Sequence, residues 1–314
     1  MPTSVIPFLA SDAATTANWV AALQAALPEQ RIVAFSTLSE TEKKAVRIAI
    51  VANPEPAQLQ QLPQLQWVHS VWAGVERLLQ EAGPQAWPLV RLLDPQLAAT
   101  MAEAVLAWTL YLHREMPAYA RQQRQGLWQA RPYRSAGSQT IGLLGLGALG
   151  AAAARSLLAA GFKVAGWSRE TKQISGVRCF AGAAELPLLL AQTNILVCLL
   201  PLTAATRDLL DASMLRQLPT GASLINFARG AIVVDQDLRA ALDDGHLSHA
   251  VLDVFRSEPL PAEAWQWQHP AVSVLPHCSA PTDRASAAAI VAATIRQYHA
   301  DGSLPATVDR ALGY

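Results

Sequence analysis

Cysteine is scarce in this chain of 314 residues, which contains three: Cys179, Cys198 and Cys278. Their number is odd, and no two of them have the CxxC spacing that metal and redox motifs share. This pattern argues against a disulfide framework, and we predict no metal site. A reducing compartment suits such a chain, so we expect a cytoplasmic location.

The chain also lacks an excess of charge, because 24 Lys and Arg residues balance 24 Asp and Glu residues. No long basic block occurs, which argues against nucleic acid or an anionic membrane surface as the main partner. The most apolar run, residues 186–202, is interrupted by two prolines, a glutamine and an asparagine, so we predict no membrane span. No basic segment precedes the short apolar run near the N-terminus, so we expect no signal peptide.

What the chain has in abundance is short apolar runs that alternate with helical patterns. Apolar residues make up 52% of the sequence and charged residues 15%, which allows a large core. The runs are continuously apolar, as in parallel strands covered on both faces. The predicted strands are SVIPFLA, RIVAFS, AVRIAIVAN, LQWVHSVWAG and PLVRLLD, then TIGLLGLG, FKVAGWS, ILVCLLP, ASLINFAR, HAVLDVF and VSVLPH. We predict the α/β class with two doubly wound parallel sheets.

Four longer patterns complete the predicted fold. Residues 97–125 have the composition of one long helix, and the polar segment 126–139 is typical of a loop. The segment VVDQDLRAALDDG predicts a helix with Gly245 as its C-cap. Residues 283–300 form a last helical pattern, which we expect to pack back onto the first unit.

Gly145, Gly147 and Gly150 form a GxGxxG motif between a predicted strand and a predicted helix. The first glycine allows a tight turn, the second lets a pyrophosphate approach the backbone, and the third lets helix and strand pack closely. The helix that begins near Ala148, followed by Leu149, would point its N–H groups at the phosphates. We therefore predict dinucleotide binding, with a purely structural glycine turn as the alternative.

The next predicted strand ends in GWSRE, where an NAD-binding chain would carry an acidic residue for the ribose. Ser168 stands there instead, followed by Arg169 and, nearby, Lys172. A hydroxyl and a guanidinium would bind a 2′-phosphate that a carboxylate would repel. We predict that NADP(H) is preferred and NAD(H) possible. The alternative is that Arg169 is a surface residue and NAD binds through Ser168.

Three residues with acid–base or anion-binding chemistry follow later strands: Arg229, Glu258 and His277. A guanidinium can hold a carboxylate with two parallel bonds, and a histidine can give or take a proton at neutral pH. A carboxylate beside the histidine would orient its ring. The set suits hydride transfer to a 2-keto acid. Each residue could also be structural, since sequence separation does not show that the three converge.

The blocks NFARGAIVVDQDLRAAL, LDVFRSEPLP and HPAVSVLPHCSAPT resemble the signature blocks of the D-isomer-specific 2-hydroxyacid dehydrogenases. The similarity covers the whole chain and is greatest to the glyoxylate/hydroxypyruvate reductase A branch, which shares WSR and an ending similar to VDRALGY. The resemblance implies that Arg229 anchors the substrate, His277 is the acid/base and Glu258 is its partner. It further implies that the cofactor contacts His277 as well as Leu200, Pro201, Thr206, Ala228 and Asp253.

The resemblance also implies that backbone N–H groups of residues 71–75 bind the substrate carboxylate. Relatives read GAGVD there and this chain reads WAGVE, so Trp72 replaces a glycine while Ala73 and Gly74 remain. The indole could narrow the substrate pocket or pack under the loop. Trp128, in LWQARPY, matches a Trp that in relatives reaches the active site of the neighbouring subunit. Trp128 could equally be an ordinary anchor residue of the subunit interface.

The family topology implies a substrate domain of residues 1–96, a cofactor domain of residues 97–280, and a C-terminal helix of residues 281–314 that returns to the substrate domain. The active site would lie in the cleft between two Rossmann-like domains. We expect a homodimer that reduces glyoxylate and hydroxypyruvate. The alternatives are a dehydrogenase for a larger 2-keto acid and a non-catalytic nicotinamide-sensing scaffold.

Overall fold

The computed structural model describes residues 5–81, 87–310 and 312–313, so Ala311 and Tyr314 of the VDRALGY ending lie outside the described residues. The chain divides into two compact units. The first comprises Met1–Gln96 with Thr282–Tyr314, and the second comprises Leu97–Pro281.

The strands and helices alternate along most of the chain. The strands are β1 (Val5–Ala10), β2 (Arg31–Ala34), β3 (Ile48–Ala52), β4 (Trp67–Ser70), β5 (Leu89–Val90), β6 (Thr140–Leu144), β7 (Lys163–Ser168), β8 (Val177–Ala181), β9 (Ile195–Cys198), β10 (Ala222–Asn226), β11 (Leu247–Leu252) and β12 (Val272–Val274). The helices are α1 (Ala13–Ala26), α2 (Glu40–Lys43), α3 (Pro56–Gln60), α4 (Glu76–Glu81), α5 (Pro95–His113), α6 (Met116–Arg124), α7 (Ala148–Ala159), α8 (Gly182–Leu190), α9 (Ala212–Leu215), α10 (Asp235–Asp243) and α11 (Arg284–Asp301).

The first unit is built on a five-stranded sheet in the order β2-β1-β3-β4-β5, with every neighbouring pair parallel. Its central strand β3 is buried at all of its positions, as its unbroken run of apolar residues requires. Helix α11 packs its small and branched residues against this sheet, with Val291 and Ile295 in the same buried cluster as Phe8 and Trp19.

The second unit contains a seven-stranded parallel sheet in the order β12-β11-β10-β9-β6-β7-β8. The strand order reverses between β6 and β9, because β7 and β8 lie on one side of β6 and the later strands on the other. Ligands of open α/β sheets bind at the carboxyl ends of the strands around such a reversal. The turns after β6, β7, β10, β11 and β12 all lie at this edge. The predicted class, two α/β units with parallel sheets, is thus confirmed.

Two expectations about individual elements are wrong. The single helix over residues 97–125 is two helices, because Glu115 has a left-handed backbone (φ 56°) and Pro117 lies in the first turn of α6. Proline is tolerated in a first turn but interrupts a continuous helix. Strand β8 was not predicted, because the exposed Arg178 interrupts its short apolar run. It lies at the edge of the sheet, beside β7, and most of its positions are only partly buried.

Among the described residues, no helix is long and apolar enough to cross a membrane. The three cysteines are free thiols.

Candidate active site

The glycine motif forms the turn between β6 and α7. Gly145 has a left-handed backbone (φ 102°), and a Cβ there would lie 2.9 Å from the carbonyl oxygen of Leu199. A Cβ on Gly150 would lie 1.8 Å from the carbonyl oxygen of Gly145, so no side chain fits. These two glycines thus allow the turn to close tightly on itself and on the neighbouring strand.

The same turn leaves open space where a pyrophosphate would lie. A Cβ on Gly147 would meet nothing within 4 Å. Gly147 is the N-cap of α7, and no side chain caps the helix there. The first N–H groups of α7, from Ala148 and Leu149 onward, are those that a helix end leaves without an internal partner. The residues present therefore fit a bound dinucleotide phosphate.

The end of β7 carries the residues predicted to contact the adenosine ribose. Ser168 is buried, and its hydroxyl donates to the carbonyl of Glu170 at 2.7 Å. The Arg169 guanidinium lies 2.9 Å from the carboxylate of Glu170, with both side chains well exposed. Exposed pairs of this kind are weak, so the guanidinium can exchange partners at low cost. Lys172 lies four residues beyond Ser168, on the rim of an open shelf formed by residues 172–179.

The segment after β9 is a compact loop. Leu200 is buried, and the hydroxyl of Thr206 donates to the carbonyl of Pro201 at 2.6 Å while accepting the N–H of Thr203 at 2.8 Å. The Thr206 hydroxyl thus holds the loop in shape. The cofactor contacts expected of Leu200, Pro201 and Thr206 stay a prediction.

Arg229 follows β10 in a turn that Asn226 braces. The buried Asn226 amide donates to the carbonyl of Arg229 at 3.1 Å, and its oxygen accepts the N–H of Ala228 at 3.2 Å. The half-buried Arg229 side chain donates to the carbonyl of Ala228 at 2.7 Å. The sequence analysis assigned no role to Asn226, and the structure shows one. It fixes the backbone that presents the guanidinium.

His277 and Glu258 form a hydrogen-bonded pair. The imidazole Nδ1 lies 2.8 Å from Glu258 Oε2, while Glu258 Oε1 accepts the N–H of Phe255 at 2.8 Å. Both carboxylate oxygens are therefore engaged, and the ring is oriented through Nδ1, which leaves Nε2 without a partner among the described residues. The His277 side chain is 52% exposed, so a small molecule can reach it.

Asp253, at the end of β11, anchors the loop that carries His277. Its buried carboxylate accepts the N–H of Cys278 at 2.7 Å and the N–H of Ser279 at 3.0 Å. His277 has a left-handed backbone (φ 53°), which is uncommon for a residue with a Cβ, and these two bonds hold the chain just beyond it. Partial burial and the Asp253 carboxylate raise the pKa of the Cys278 thiol. Cys278 is therefore a thiol at neutral pH, not a competing nucleophile.

The loop after β4 belongs to the first unit. The N–H of Trp72 donates to Ser70 Oγ at 3.1 Å, and the indole packs edge-on against Trp19 with ring centroids 5.9 Å apart. The indole thus packs on the first unit's core. Among the described residues, the N–H groups of Ala73 and Gly74 donate to no acceptor. Their binding to a substrate carboxylate stays a prediction.

Trp128 lies in the segment after α6 and is fully exposed, at 103% of its reference area. Its neighbour Leu127 and Tyr133 in the same segment are also exposed, at 53% and 73%. An indole that stays exposed to water gains no free energy from the burial of its apolar surface.

The sequence thus predicted residues that the second unit brings to one edge of its sheet: the glycine turn, Ser168, Arg229, Glu258 and His277. Asp253 was expected to contact the cofactor, and the structure shows in addition that its carboxylate anchors the loop after β12. That role leaves no signal in the sequence, because it depends on pairing β11 with β12. Among the described residues, no cluster of three His, Cys, Asp or Glu side chains could hold a metal ion.

Comparison with known proteins gives the family. Residues 106–279 match the family described as D-isomer specific 2-hydroxyacid dehydrogenase, NAD binding domain. A D-isomer specific 2-hydroxyacid dehydrogenase from Xanthobacter autotrophicus Py2, solved with NADPH and MES, is 38% identical with a TM-score of 0.93. That similarity covers 99% of this chain and 100% of the other.

Two further solved structures are similar over nearly the whole chain. An NADPH-dependent glyoxylate/hydroxypyruvate reductase from Sinorhizobium meliloti, solved with NADP and sulfate, is 33% identical with a TM-score of 0.91, covering 99% of this chain and 100% of that one. A probable 2-hydroxyacid dehydrogenase from Rhizobium etli CFN 42, solved with NADP, HEPES and L(+)-tartaric acid, is 30% identical with a TM-score of 0.90, covering 100% of each chain.

The Asp253 anchor makes a prediction about stability. Asp253→Ala removes the acceptor of two N–H groups, and we expect a loss of about 3 kcal/mol, since hydrogen bonds to charged groups contribute about 1.5–3 kcal/mol each. The measurement is the urea midpoint of the second unit's unfolding. Asp237→Ala is the matched control, because the half-buried Asp237 carboxylate accepts one backbone N–H, that of Ala212 at 2.8 Å. Equal midpoints for the two variants would contradict the anchoring role.

Proposed function

Because this chain belongs to the D-isomer specific 2-hydroxyacid dehydrogenases and is a nicotinamide-dependent enzyme, we propose that it reduces glyoxylate and hydroxypyruvate with NADPH, giving glycolate and D-glycerate. The observation that carries the proposal is the 2.8 Å bond between His277 Nδ1 and Glu258 Oε2. It gives a histidine that can donate a proton in a fixed orientation. The similarity to the Sinorhizobium meliloti reductase supports the choice of substrates.

In the proposed reaction, Arg229 binds the substrate carboxylate with its planar guanidinium, which matches a carboxylate with two parallel bonds. His277, protonated on both nitrogens, donates the Nε2 proton to the carbonyl oxygen. When bound, NADPH supplies the hydride that the carbonyl carbon gains. The C=O group thus becomes CH–OH, and His277 takes up a new proton from water. Glu258 accepts the hydrogen bond from Nδ1 during the whole reaction and so keeps Nε2 directed at the substrate.

NADPH is the proposed cofactor because the end of β7 presents a hydroxyl and a guanidinium where a carboxylate would serve NAD. The 2′-phosphate would take Arg169 from its weak, exposed pair with Glu170. The relatives solved with NADPH or NADP support this choice.

A steady-state screen tests the substrate proposal directly. We expect NADPH oxidation to be fastest with glyoxylate and hydroxypyruvate, and slower with branched and aromatic 2-keto acids. The measurement is kcat/KM for each acid with NADPH and with NADH. A higher kcat/KM for a larger acid would replace the proposed substrates while leaving the family assignment intact.

A single substitution tests the proton donor. His277→Ala should lower kcat about 10²–10⁴-fold, the usual value of general acid catalysis, with NADPH affinity nearly unchanged. His269→Ala is the matched control, because His269 also pairs with a carboxylate, that of Asp243 at 3.1 Å, in the same unit. We expect the control to keep wild-type turnover. Wild-type turnover in His277→Ala would remove His277 from the mechanism.

A double substitution tests the choice of cofactor. A charge-assisted bond from Arg169 to the 2′-phosphate should favour NADPH about 10–100-fold. Ser168→Asp with Arg169→Ala should reverse the preference, because a carboxylate repels the phosphate and accepts the ribose hydroxyl. Arg178→Ala, an exposed arginine on the neighbouring strand β8, is the control and should keep the wild-type ratio. The measurement is the ratio of kcat/KM for NADPH and NADH with glyoxylate. A wild-type enzyme that favours NADH would contradict the proposal.

The exposed segment around Trp128 supports a homodimer, because apolar area of this kind gains free energy when a second copy covers it. The three free cysteines support a reducing cytoplasmic setting.

We expect sedimentation equilibrium at micromolar concentration to give about twice the chain mass of 33.6 kDa, as a dimer requires. Trp128→Ala should weaken the dimer. A mass equal to that of one chain in the wild type would refute the proposed dimer.

A further inference from the structure

The buried side chains of the first unit form two clusters, one on each face of its five-stranded sheet. Ile50 of β3 lies in the first cluster with Trp19 of α1, and Val51, the next residue, lies in the second cluster with Leu78 of α4. Successive side chains of a strand point to opposite faces, so each cluster covers one face of the sheet. A loop at the end of a strand can therefore be anchored on either face.

The loop after β4 is anchored on both faces. The half-buried Trp72 packs against the first cluster, and Val75, which is 3% exposed, belongs to the second. Ala73 and Gly74 lie between these two anchors. Fixing a residue's backbone is costly in conformational entropy, and here the folded first unit has already met that cost by packing the residues on both sides of the segment.

Hydrogen bonds hold the backbone on the N-terminal side of this segment. The N–H of Val71 donates to the carbonyl of Val51 at 2.9 Å, and the N–H of Trp72 donates to Ser70 Oγ at 3.1 Å. The carbonyl of Trp72 accepts the N–H of Leu92 at 3.2 Å. Trp72 is thus fixed through its backbone as well as through its side chain.

The two residues that follow Trp72 have N–H groups of a different kind. Among the described residues, the N–H groups of Ala73 and Gly74 donate to no acceptor, and both residues are only partly buried. A backbone N–H is a strong donor that native structures almost always satisfy. Two adjacent donors in a fixed segment are therefore preorganised for an anion, and a carboxylate has two oxygens to receive them.

We propose that Trp72 is a positioning residue for this carboxylate-binding segment, an inference that rests on the proposed reduction of 2-keto acids. The indole acts from the core side of the loop, where it packs edge-on against Trp19 with ring centroids 5.9 Å apart. Trp19 is 2% exposed and does not yield easily, so the contact fixes the indole in turn. Trp72 therefore positions the donors for the carboxylate and does not select the size of the rest of the substrate.

This role predicts a particular kinetic pattern. The carboxylate is common to all 2-keto acids, and reduction of the neighbouring carbonyl leaves it unchanged. Bonds to it are therefore equally strong in the ground state and the transition state, so their loss raises KM and leaves kcat unchanged. A looser segment should weaken every 2-keto acid by the same factor. A tryptophan that narrowed the substrate pocket would act differently, because its removal would favour larger acids selectively.

Steady-state kinetics of the full-length enzyme at saturating NADPH test the proposal. The substrates, in order of size, are glyoxylate, hydroxypyruvate and 2-ketoisovalerate, and the variants are Trp72→Ala, Trp72→Leu and Trp72→Phe. Tyr298→Leu is the matched control. Tyr298 makes the same kind of edge contact in the same cluster, with Trp67 at a centroid distance of 5.2 Å, but Trp67 lies at the start of β4 and the loop follows its end.

We expect Trp72→Ala to raise KM about 5–30-fold for all three acids, the factor that corresponds to ordering the backbone of one residue on binding, with kcat unchanged. Trp72→Phe keeps an aromatic ring and should stay close to the wild type, with Trp72→Leu between the two. These two milder variants decide the question if Trp72→Ala does not fold. Tyr298→Leu should lower the thermal midpoint of unfolding without changing KM.

An unchanged KM in the Trp72 variants overturns the proposal, and so does an equal rise of KM in Tyr298→Leu, which would reflect stability alone. A selective gain in kcat/KM for 2-ketoisovalerate in Trp72→Ala also overturns it, since Trp72 would then limit substrate size. A wild-type enzyme that reduces none of the three acids contradicts the proposed function itself, and the inference fails with it.

Discussion

All seven strands of the second unit run parallel, and this constraint determines where its chemistry lies. Parallel neighbours cannot be joined by tight hairpins, so the chain must run back along one face of the sheet before it starts the next strand. The turns that follow the strands therefore all lie at the same edge of the sheet. Residues as distant in sequence as Gly145 and His277 therefore meet the same solvent edge.

Asp253 shows how the constraint becomes a fixed side chain. Strands β11 and β12 are paired with Leu252 opposite Val274, so the residue after β11 lies beside the loop after β12. The Asp253 carboxylate reaches the N–H groups of Cys278 and Ser279 from there. His277, immediately before them, keeps a left-handed backbone that a histidine rarely adopts. A buried charge thus stabilises the conformation that directs the imidazole toward Glu258.

Much of this arrangement could be predicted from the sequence, because its signals are local. Apolar runs predicted eleven of the strands, and the GxGxxG spacing predicted the turn before α7. The break at Glu115 was missed although Pro117 signals a helix boundary, because the helical composition continues on both sides of it. Strand β8 was missed because it is short and only partly buried. The hydrogen bonds by which Asp253 and Asn226 hold their loops were not predicted, for another reason. Each depends on partners that only the folded chain brings near, so no spacing rule reveals them.

The two edges of the sheet face opposite electrostatic conditions. Helix α7 begins beside the carboxyl edge, so the partial positive charge of its N-terminus favours anions there without any cationic side chain. Glycine is then sufficient at the phosphate turn, and in the proposed NADPH complex Arg169 would contact only the 2′-phosphate of the ribose. The amino edge receives the carbonyl ends of helices, which stabilise cations rather than anions. The glycine turn therefore lies at the carboxyl edge, where backbone N–H groups of α7 alone can receive a phosphate.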